Sequence, residues 1–565
     1  MSRTRRIATA AAALLALAAG APRAVENGFA GTIVALQPLR ESSTVALIGG
    51  PFREATLVDL HPGTNAWFVL ALVDAEGRRS DFHLENADPR AQRLRLDAAG
   101  GGVLDIVADG RTTRCAPWPD LPRASRAHLA FAPLCGGRIY LRNPVRGNRT
   151  ELEATTQFLR DHVPGGEKIV GFVRREFFAD AYVESARIAE AAPSATLADP
   201  PGAPAAASVR PQDAARAIIP GTLGIDLGET SLLQGRWYAA RGLPGVYMSA
   251  IEPEALAVPE GAERRHPWHP DAQEARALDY LVAFDLARFD VGFTLGTDHP
   301  RLDWSARVRD DMRDPSLPGP DGIGDAAPLA RTGLLSPRLA PRAVATFAGG
   351  FKREHGAFRY GQLAQRNRGS HYGFVEEGVV FSRLQPGLAT LYVLDDGTID
   401  MKTWTERDDA LLARLRGARQ NGVALLEPAP GSGNPVPGAL VGQWGAGNWS
   451  GSQDGKLRTL RAGACIAGNE GARYLVYGWF STATPRTMAE VFRAYGCRYA
   501  MHLDMNALEH TYLALYTRKG ANVEVEHLVR GMSVLDKQVG AELVPRFLAA
   551  PDDRDFFYVL RREPG

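Results

Sequence analysis

The sequence predicts an α+β protein: an N-terminal β-rich domain followed by a mixed-sheet α/β C-terminal domain. Two observations lead to this prediction. Short apolar runs separated by Gly and Asp clusters recur through residues 25–145, which is typical of a small β-sandwich or barrel. Between residues 473 and 503, an apolar strand, an amphipathic helix and a second apolar strand follow one another, as in a crossover that joins two parallel strands.

Length and composition divide the chain into several parts. Its 565 residues are too many for one ordinary core. The hydrophobic fraction of 45%, the charged fraction of 23% and the net charge of +1 are those of a globular protein. Because no strong basic or acidic excess is present, we predict no nucleic-acid partner. The predicted parts are a signal peptide (1–24), a β-rich accessory domain (25–145), a helical segment (146–192), an Ala/Pro-rich linker (193–234) and the α/β domain (235–565).

The N-terminus has the layout of a secretory signal. Arg3, Arg5 and Arg6 precede an apolar run over residues 7–19, and small residues follow it. The alternative is an uncleaved anchor. No other segment is long and apolar enough to span a bilayer. We therefore expect an exported protein, periplasmic or extracellular, with no transmembrane domain in the mature chain.

The chain has only four cysteines. An even number behind an export signal favours disulfides. The local pairing is Cys115 with Cys135 and Cys465 with Cys497, which places one bridge in each half of the chain. The alternative is two pairs of buried free thiols. The spacing does not match a metal site.

The strand–helix–strand unit of the C-terminal domain has clear local boundaries. Thr484 and Pro485 suit the N-cap and the first position of a helix, and Gly496 is typical of the residue that follows a helix end. Apolar residues between them recur with the helical period. The strand that follows, over residues 499–503, brings Asp504 to its carboxyl end, where open α/β sheets present ligand-binding groups.

The motifs around this unit resemble those of a known family. Four motifs occur in the order found in the phosphodiester glycosidase family. They are the strand end that carries Gly349-Gly350, then Arg461, the helix end at Gly496, and Leu503-Asp504. This family is also called the N-acetylglucosamine-1-phosphodiester α-N-acetylglucosaminidase family, and the resemblance covers about residues 275–520. The chain departs from the pattern in two places. Ala348 replaces an Asn, and residues 505–508 (Met-Asn-Ala-Leu) replace a Gly-Gly-Gly-Ser loop.

Asp504 and the residues after it are the main catalytic candidates. Two carboxylates in one pocket can serve as acid and base in glycoside hydrolysis, and Asp504 and Glu509 fit these roles. His510 and His371 are the candidate proton carriers. The alternative for residues 504–510 is a polar strand-exit loop that hydrogen-bonds its own backbone.

A second set of residues is predicted to bind substrate. Adjacent glycines after an apolar run indicate a close approach to the backbone, and cationic side chains bind phosphate. The alternative is an ordinary basic turn. The candidates are Gly349, Gly350, Lys352, Arg353, His355, Arg461 and Asn506.

The predicted function is that of an exported hydrolase acting on a sugar phosphodiester or a cell-envelope glycan, with a carbohydrate or sugar phosphate as its ligand. The alternative is a catalytically silent relative that binds envelope polysaccharide or a protein partner. No cofactor is predicted. A divalent metal is left open, because the acidic and histidine candidates include suitable ligand types, although none of them share a diagnostic spacing.

Overall fold

The computed structural model describes most of the chain. The described ranges are residues 28–98, 102–166, 169–170, 181–189, 199–257, 268–305, 308–353, 372–441, 458–468, 471–520, 522–539 and 542–563. The predicted signal peptide and two of the candidate site residues, His355 and His371, lie outside them. Within these ranges, no helix combines the length and apolar composition needed to cross a membrane.

The N-terminal part is built from two antiparallel sheets. Alternating apolar residues from both sheets form a separate hydrophobic cluster, as the strand pattern predicts. The six-stranded sheet has the order Glu41–Ala46, Phe52–Asp59, Trp67–Asp74, Arg79–Asn86, Ile139–Arg142 and Phe131–Leu134, and the three-stranded sheet has the order Gln92–Asp97, Val103–Ala108 and Arg111–Cys115.

An eight-stranded sheet forms the centre of the C-terminal part, and we call it the central sheet. Its inner strands are buried along almost their whole length, which explains why they appear in the sequence as continuous apolar runs. The strand order is Tyr238–Ala239, Val246–Ile251, Asp279–Asp285, Arg473–Ala483, Thr459–Gly468, Cys497–Met505, Ala424–Pro428 and Pro435–Pro437.

The central sheet is not the mixed sheet that the sequence predicts. Every ladder between its neighbouring strands is antiparallel. The strands Arg473–Ala483 and Cys497–Met505 do run parallel to each other, as the crossover predicts, but Thr459–Gly468 lies between them and pairs with both. The local pattern indicated the direction of the two strands, but it held no information about a third strand inserted between them.

The C-terminal part also contains smaller sheets, so the described chain is predominantly β rather than the predicted α+β. One five-stranded sheet has the order Phe289–Thr294, Phe556–Arg561, Ala343–Ala348, Leu513–Lys519 and Asn522–His527. The other has the order Val379–Ser382, Phe374–Glu376, Leu415–Gln420, Ala389–Leu394 and Ile399–Thr403. Short ladders join Arg187–Ile188, Ala217–Ile219 and Leu232–Leu233, and join Lys537–Val539 to Glu542–Val544.

The helix Pro485–Ala494 packs against the central sheet through close contacts at two glycines. The Thr484 hydroxyl accepts a hydrogen bond from the backbone of Thr487 and caps the helix as predicted. A Cβ on Gly463 would lie 2.9 Å from the Met488 side chain, and one on Gly478 would lie 2.9 Å from Phe492. A larger residue at either position would therefore force the neighbouring side chains to shift.

The remaining α-helices of the described residues are Leu121–Ser125, Glu151–His162 and Ala272–Ala275. Glu151–His162 lies in the predicted helical segment, but its apolar residues do not form a buried face: Leu152 is 51% exposed and Phe158 is 58% exposed. Residues 181–189, in the same predicted segment, form a turn and a short strand instead. Part of the predicted linker also packs into the main core, through residues such as Ile218 and Leu232.

A buried ionic cluster joins the N-terminal sheets to the C-terminal part. Arg142 and Arg338 both contact the Glu85 carboxylate, at 2.5 and 2.9 Å. Arg338 also binds Glu377 at 2.6 Å, and Arg142 lies 3.9 Å from Glu376. Three carboxyl groups therefore share two buried guanidinium groups, and Arg416 lies 3.6 Å from Glu377.

Candidate functional site

Asp504 lies near the end of the central strand Cys497–Met505. Its side chain is buried, with the residue 4% exposed, and one carboxylate oxygen accepts a hydrogen bond from the Met505 backbone at 2.8 Å. The chain then turns at Asn506, whose φ of +83° lies in the left-handed region. Asn506 thus adopts a backbone conformation that glycine favours.

Arg554 reaches Asp504 from the C-terminal end of the chain. Its guanidinium donates to Asp504 Oδ2 at 2.8 Å and to Glu153 Oε1 at 2.7 Å. The Arg554 side chain is 6% exposed. One buried cation therefore binds two carboxylates from different parts of the chain, and fixes the position of both.

His510 lies on the short 3-10 turn Leu508–His510 that follows the strand. Its Nδ1 is 2.7 Å from the Met505 carbonyl oxygen. Because a carbonyl oxygen can only accept, Nδ1 carries the hydrogen in this arrangement and Nε2 faces the other way. Nε2 lies 3.6 Å from Glu153 Oε1, and Nδ1 lies 3.9 Å from Asp504 Oδ1.

Glu153 enters the site from the first turn of the helix Glu151–His162. Thr150 caps this helix: its hydroxyl accepts from the Glu153 backbone, and the Glu153 carboxylate accepts from the Thr150 backbone. Burial alone would raise the pKa of Glu153, but Arg554 and His510 outweigh that effect and hold its pKa below the ordinary value. Glu153 is thus an ionised group beside the imidazole.

Glu509 completes the group of acidic residues. It is 6% exposed, and its carboxylate lies close to the Glu153 carboxylate and the His510 ring. One ligating atom from each of the three residues lies within 4.8 Å of the other two. Its backbone carbonyl accepts from Arg546 at 2.8 Å, and Arg546 is held by both oxygens of Asp552. The turn is therefore fixed by its backbone, while the Glu509 carboxylate points into the cluster.

A second ionic cluster is formed beside this group. Lys352 Nζ donates to Asp553 at 3.0 Å, and Arg149 binds the same carboxylate at 2.8 Å. Arg149 also contacts Asp298, near the surface. Asp553 precedes Arg554 in the chain, and Arg149 lies just before the helix of Glu153. The predicted phosphate-binding residue Lys352 is therefore paired with a carboxylate adjacent to the Asp504 cluster.

Arg461 lies beside the end of the Asp504 strand. It is fully buried, and its guanidinium donates to the Ala483 carbonyl at 2.6 Å and to the Met505 sulfur at 2.9 Å. Its NH1 is also 3.4 Å from Nε2 of His502. Burial and this nearby guanidinium lower the pKa of His502 well below its ordinary value. Arg461 therefore supports the strand end from within the core.

The other predicted substrate-binding residues face buried groups. Arg353 is paired with Asp321 at 2.8 Å. A Cβ on Gly349 would lie 2.7 Å from the Asp555 carboxylate, and one on Gly350 would lie 2.9 Å from Arg419. The close approach that the glycines indicate is thus an approach to a buried salt bridge between Arg419 and Asp555.

The structure brings part of the predicted site together. Asp504, Glu509 and His510 form one cluster, and Asn506 and Arg461 lie at the same strand end. Sequence reasoning missed two members of this cluster, Glu153 and Arg554. The capping-box pattern at residues 150–153 predicts where a helix begins, but not which groups lie beside it. Residues 552–555, which include Arg554, have the composition of a tail that packs onto the domain, and this does not indicate a site.

Both predicted disulfides are confirmed. Cys115 is bonded to Cys135, and Cys465 is bonded to Cys497. The second bridge links the central strand Thr459–Gly468 to the first residue of the Asp504 strand. It therefore fixes the strand that carries the site at the end opposite to Asp504.

Comparisons with known proteins give little further information. No protein-family model and no curated protein matches the chain. The chain is similar to the solved catalytic domain of zebrafish N-acetylglucosamine-1-phosphodiester alpha-N-acetylglucosaminidase, auto-inhibited by its pro-peptide, at 10% identity and a TM-score of 0.30, over 57% of this chain and 85% of that one. It is also similar to the solved structure of a Burkholderia pseudomallei protein that is proposed to be exported. The identity is 10% and the TM-score 0.19, over 50% of this chain and 74% of that one. Because both TM-scores are below 0.5, function must be argued from the site.

Proposed function

We propose that the chain is an exported hydrolase that acts on a sugar phosphodiester or a related cell-envelope glycan. The observation that carries the proposal is the cluster at the end of the central strand, where Asp504, Glu509 and His510 lie together. Hydrolysis of such a bond requires one group that takes a proton from the attacking water and one that gives a proton to the leaving oxygen. Carboxylates beside an imidazole can serve both roles.

The geometry supports Asp504 as the base of this reaction. Arg554 and the Met505 backbone orient its carboxylate, so little reorganisation is needed when water binds. His510 is oriented by the Met505 carbonyl, which leaves Nε2 available to exchange a proton. His510 is 20% exposed at its side chain, so a substrate can reach it.

The charges near the cluster suit an anionic substrate. Arg149 is 35% exposed at its side chain and lies next to the segment that carries Glu153. Lys352 and Arg554 are buried and paired with carboxylates, so Arg149 is the one of these three cations that an anionic substrate can reach. A phosphodiester has one negative charge and several acceptor oxygens, which arginine binds well.

Two further observations favour export. Two disulfides are typical of proteins that mature in an oxidising compartment. The predicted signal at residues 1–24 gives a route to that compartment.

The experiment is an assay of the full chain against a panel of sugar phosphodiesters and envelope glycans, with and without Asp504→Asn. We expect hydrolysis of at least one substrate, and a loss of about 100-fold or more in the variant. Asp213→Asn is the matched control, because Asp213 is also a buried aspartate paired with an arginine, Arg210, at 2.8 Å. Equal activity of Asp504→Asn and the wild type would refute the proposal, as would no hydrolysis across the panel.

A catalytically silent glycan-binding protein is the second candidate. The observation that favours it is the strand end itself: Met505 is held by Arg461 through its sulfur, and Asn506 and Ala507 replace two small glycines of the related loop. A backbone cradle for an anion is therefore less open here. Binding of a glycan by both the wild type and Asp504→Asn, without turnover by either, would favour this candidate.

A further inference from the structure

Three metal-ligating side chains converge next to Asp504. Glu153, Glu509 and His510 each place one carboxylate oxygen or ring nitrogen within 4.8 Å of the other two. Glu153 comes from the helix Glu151–His162, and the other two residues come from the turn Leu508–His510. The convergence therefore depends on the docking of the helix onto this turn, and no sequence spacing reveals it.

A second, independent observation points to a cation site. The Glu509 residue is 6% exposed, and among the described residues its carboxylate makes no hydrogen bond and no ion pair. A mostly buried carboxylate without such a partner is well placed to bind a cation. Its neighbours in the cluster are another carboxylate and an imidazole, which suit a shared ion.

The imidazole is already oriented for such a role. His510 Nδ1 lies 2.7 Å from the Met505 carbonyl oxygen, and Nε2 faces Glu153. A histidine that ligates a metal commonly donates its other ring N–H to a carbonyl or carboxylate, which fixes the tautomer and the ring plane. The Met505 carbonyl has this function for His510 in the present arrangement.

The formal charges of the cluster are unbalanced. The cluster contains three carboxylates, those of Asp504, Glu153 and Glu509, and one guanidinium, that of Arg554, which binds the first two. Arg546, which contacts the Glu509 backbone, is held by both oxygens of a carboxylate outside the cluster, and the adjacent Arg149 and Lys352 are paired with Asp298 and Asp553. A surplus of two negative charges remains, which one divalent cation would neutralise.

We propose that Glu153, Glu509 and Nε2 of His510 bind a divalent transition-metal ion, Zn²⁺ or Mn²⁺. An imidazole nitrogen combined with two carboxylates favours these ions over Ca²⁺ and Mg²⁺, which prefer oxygen ligands throughout. Three protein ligands leave at least one position for water or substrate, and the partial exposure of His510 gives access to it. The binding does not depend on the proposed hydrolysis. In the loaded protein, Nε2 of His510 is a ligand and so does not carry a proton, whereas Asp504 remains as the base.

The experiment is calorimetric titration of the untagged, chelator-treated full chain with Zn²⁺ and, separately, with Mn²⁺. We expect about one ion per chain, and a thermal midpoint that rises when the ion is added. Glu509→Gln and His510→Gln should each weaken binding by about 100-fold or more. Glu252→Gln is the matched control, since Glu252 is a buried glutamate outside the cluster that contacts Arg216. This variant should bind the ion like the wild type.

The thermal stability of the ion-free protein is a second readout, which shows that a variant that does not bind the ion is still folded. Because Glu509→Gln removes a buried charge that has no partner, the variant should be at least as stable as the ion-free wild type, and the ion should no longer raise its thermal midpoint. The proposal is overturned if neither ion binds the wild type, or if both variants bind with unchanged affinity. No substrate enters this titration, so its result is separate from that of the hydrolysis assay.

Discussion

Arg554 donates to the Asp504 carboxylate at 2.8 Å and to Glu153 at 2.7 Å, so one buried guanidinium joins three segments of the chain. The two acidic residues come from the central strand and from the helix Glu151–His162. Because this helix exposes its apolar residues to solvent, ionic and capping contacts fix its first turn more than hydrophobic burial does.

Arg554→Gln is expected to destabilise the protein by about 3–5 kcal/mol, since it leaves two buried carboxylates without their cation. The measurement is the free energy of unfolding in urea. Arg554→Lys is the control: it keeps the charge, but a single ammonium matches two carboxylates less well than a guanidinium, and the loss should be smaller. A Gln variant as stable as the wild type would show that the pairing contributes nothing.

Thr150→Ala is expected to weaken the helix Glu151–His162 by about 1 kcal/mol, because the N-cap hydroxyl that accepts from Glu153 is lost. Amide hydrogen exchange of the peptide that contains residues 150–162 measures this effect. Thr150→Ser retains the hydroxyl and should exchange like the wild type. Identical protection in the Ala and Ser variants would contradict the capping role.

Replacing Cys465 and Cys497 by serine should destabilise the protein by about 3–4 kcal/mol in the chain-entropy model, as the bridge closes a loop with a sequence separation of 32. The same change at Cys115 and Cys135, with a separation of 20, gives a comparison in the N-terminal sheets. Urea denaturation measures both. The intact, unreduced protein should contain no reactive thiol, and four reactive thiols would contradict both bridges.

The buried Glu376 carboxyl group should make the free energy of unfolding depend on pH. Burial raises its pKa to about 8; Arg142 and the Leu295 backbone N–H oppose the rise, and Glu377 and Glu85 add to it. Between the unfolded value of 4.5 and about 8, the folded state holds a proton that the unfolded state has released. Stability therefore falls as the pH rises through this window, and it is lowest above it.

The variant Glu376→Gln tests this dependence, because the amide keeps an acceptor for Leu295 but does not titrate. The difference in unfolding free energy between variant and wild type should grow with pH by up to about 1.4 kcal/mol per unit within the window. Urea denaturation at a series of pH values measures it. Parallel pH profiles for the two proteins would contradict the assignment.

The central strand–helix–strand unit shows how much the sequence could predict. The cap at Thr484, the turn at Gly496 and the two buried strands follow from local patterns, because each depends on residues within one or two turns of chain. The strand inserted between them could not be predicted, since strand pairing depends on contacts that are distant in sequence. For this reason the expected mixed sheet is an antiparallel one.

The sequence by itself determined where Asp504, Glu509 and His510 lie, because they are close together at the end of one apolar strand. It also predicted the two disulfides from the local spacing of four cysteines, and the structure decided between them and the alternative of free thiols. Only the tertiary structure decided that Glu153 and Arg554, 401 positions apart, meet beside Asp504. The reason is physical: a helix cap and an acidic tail have only local signals in sequence, whereas their burial against the same carboxylate is a property of the folded chain.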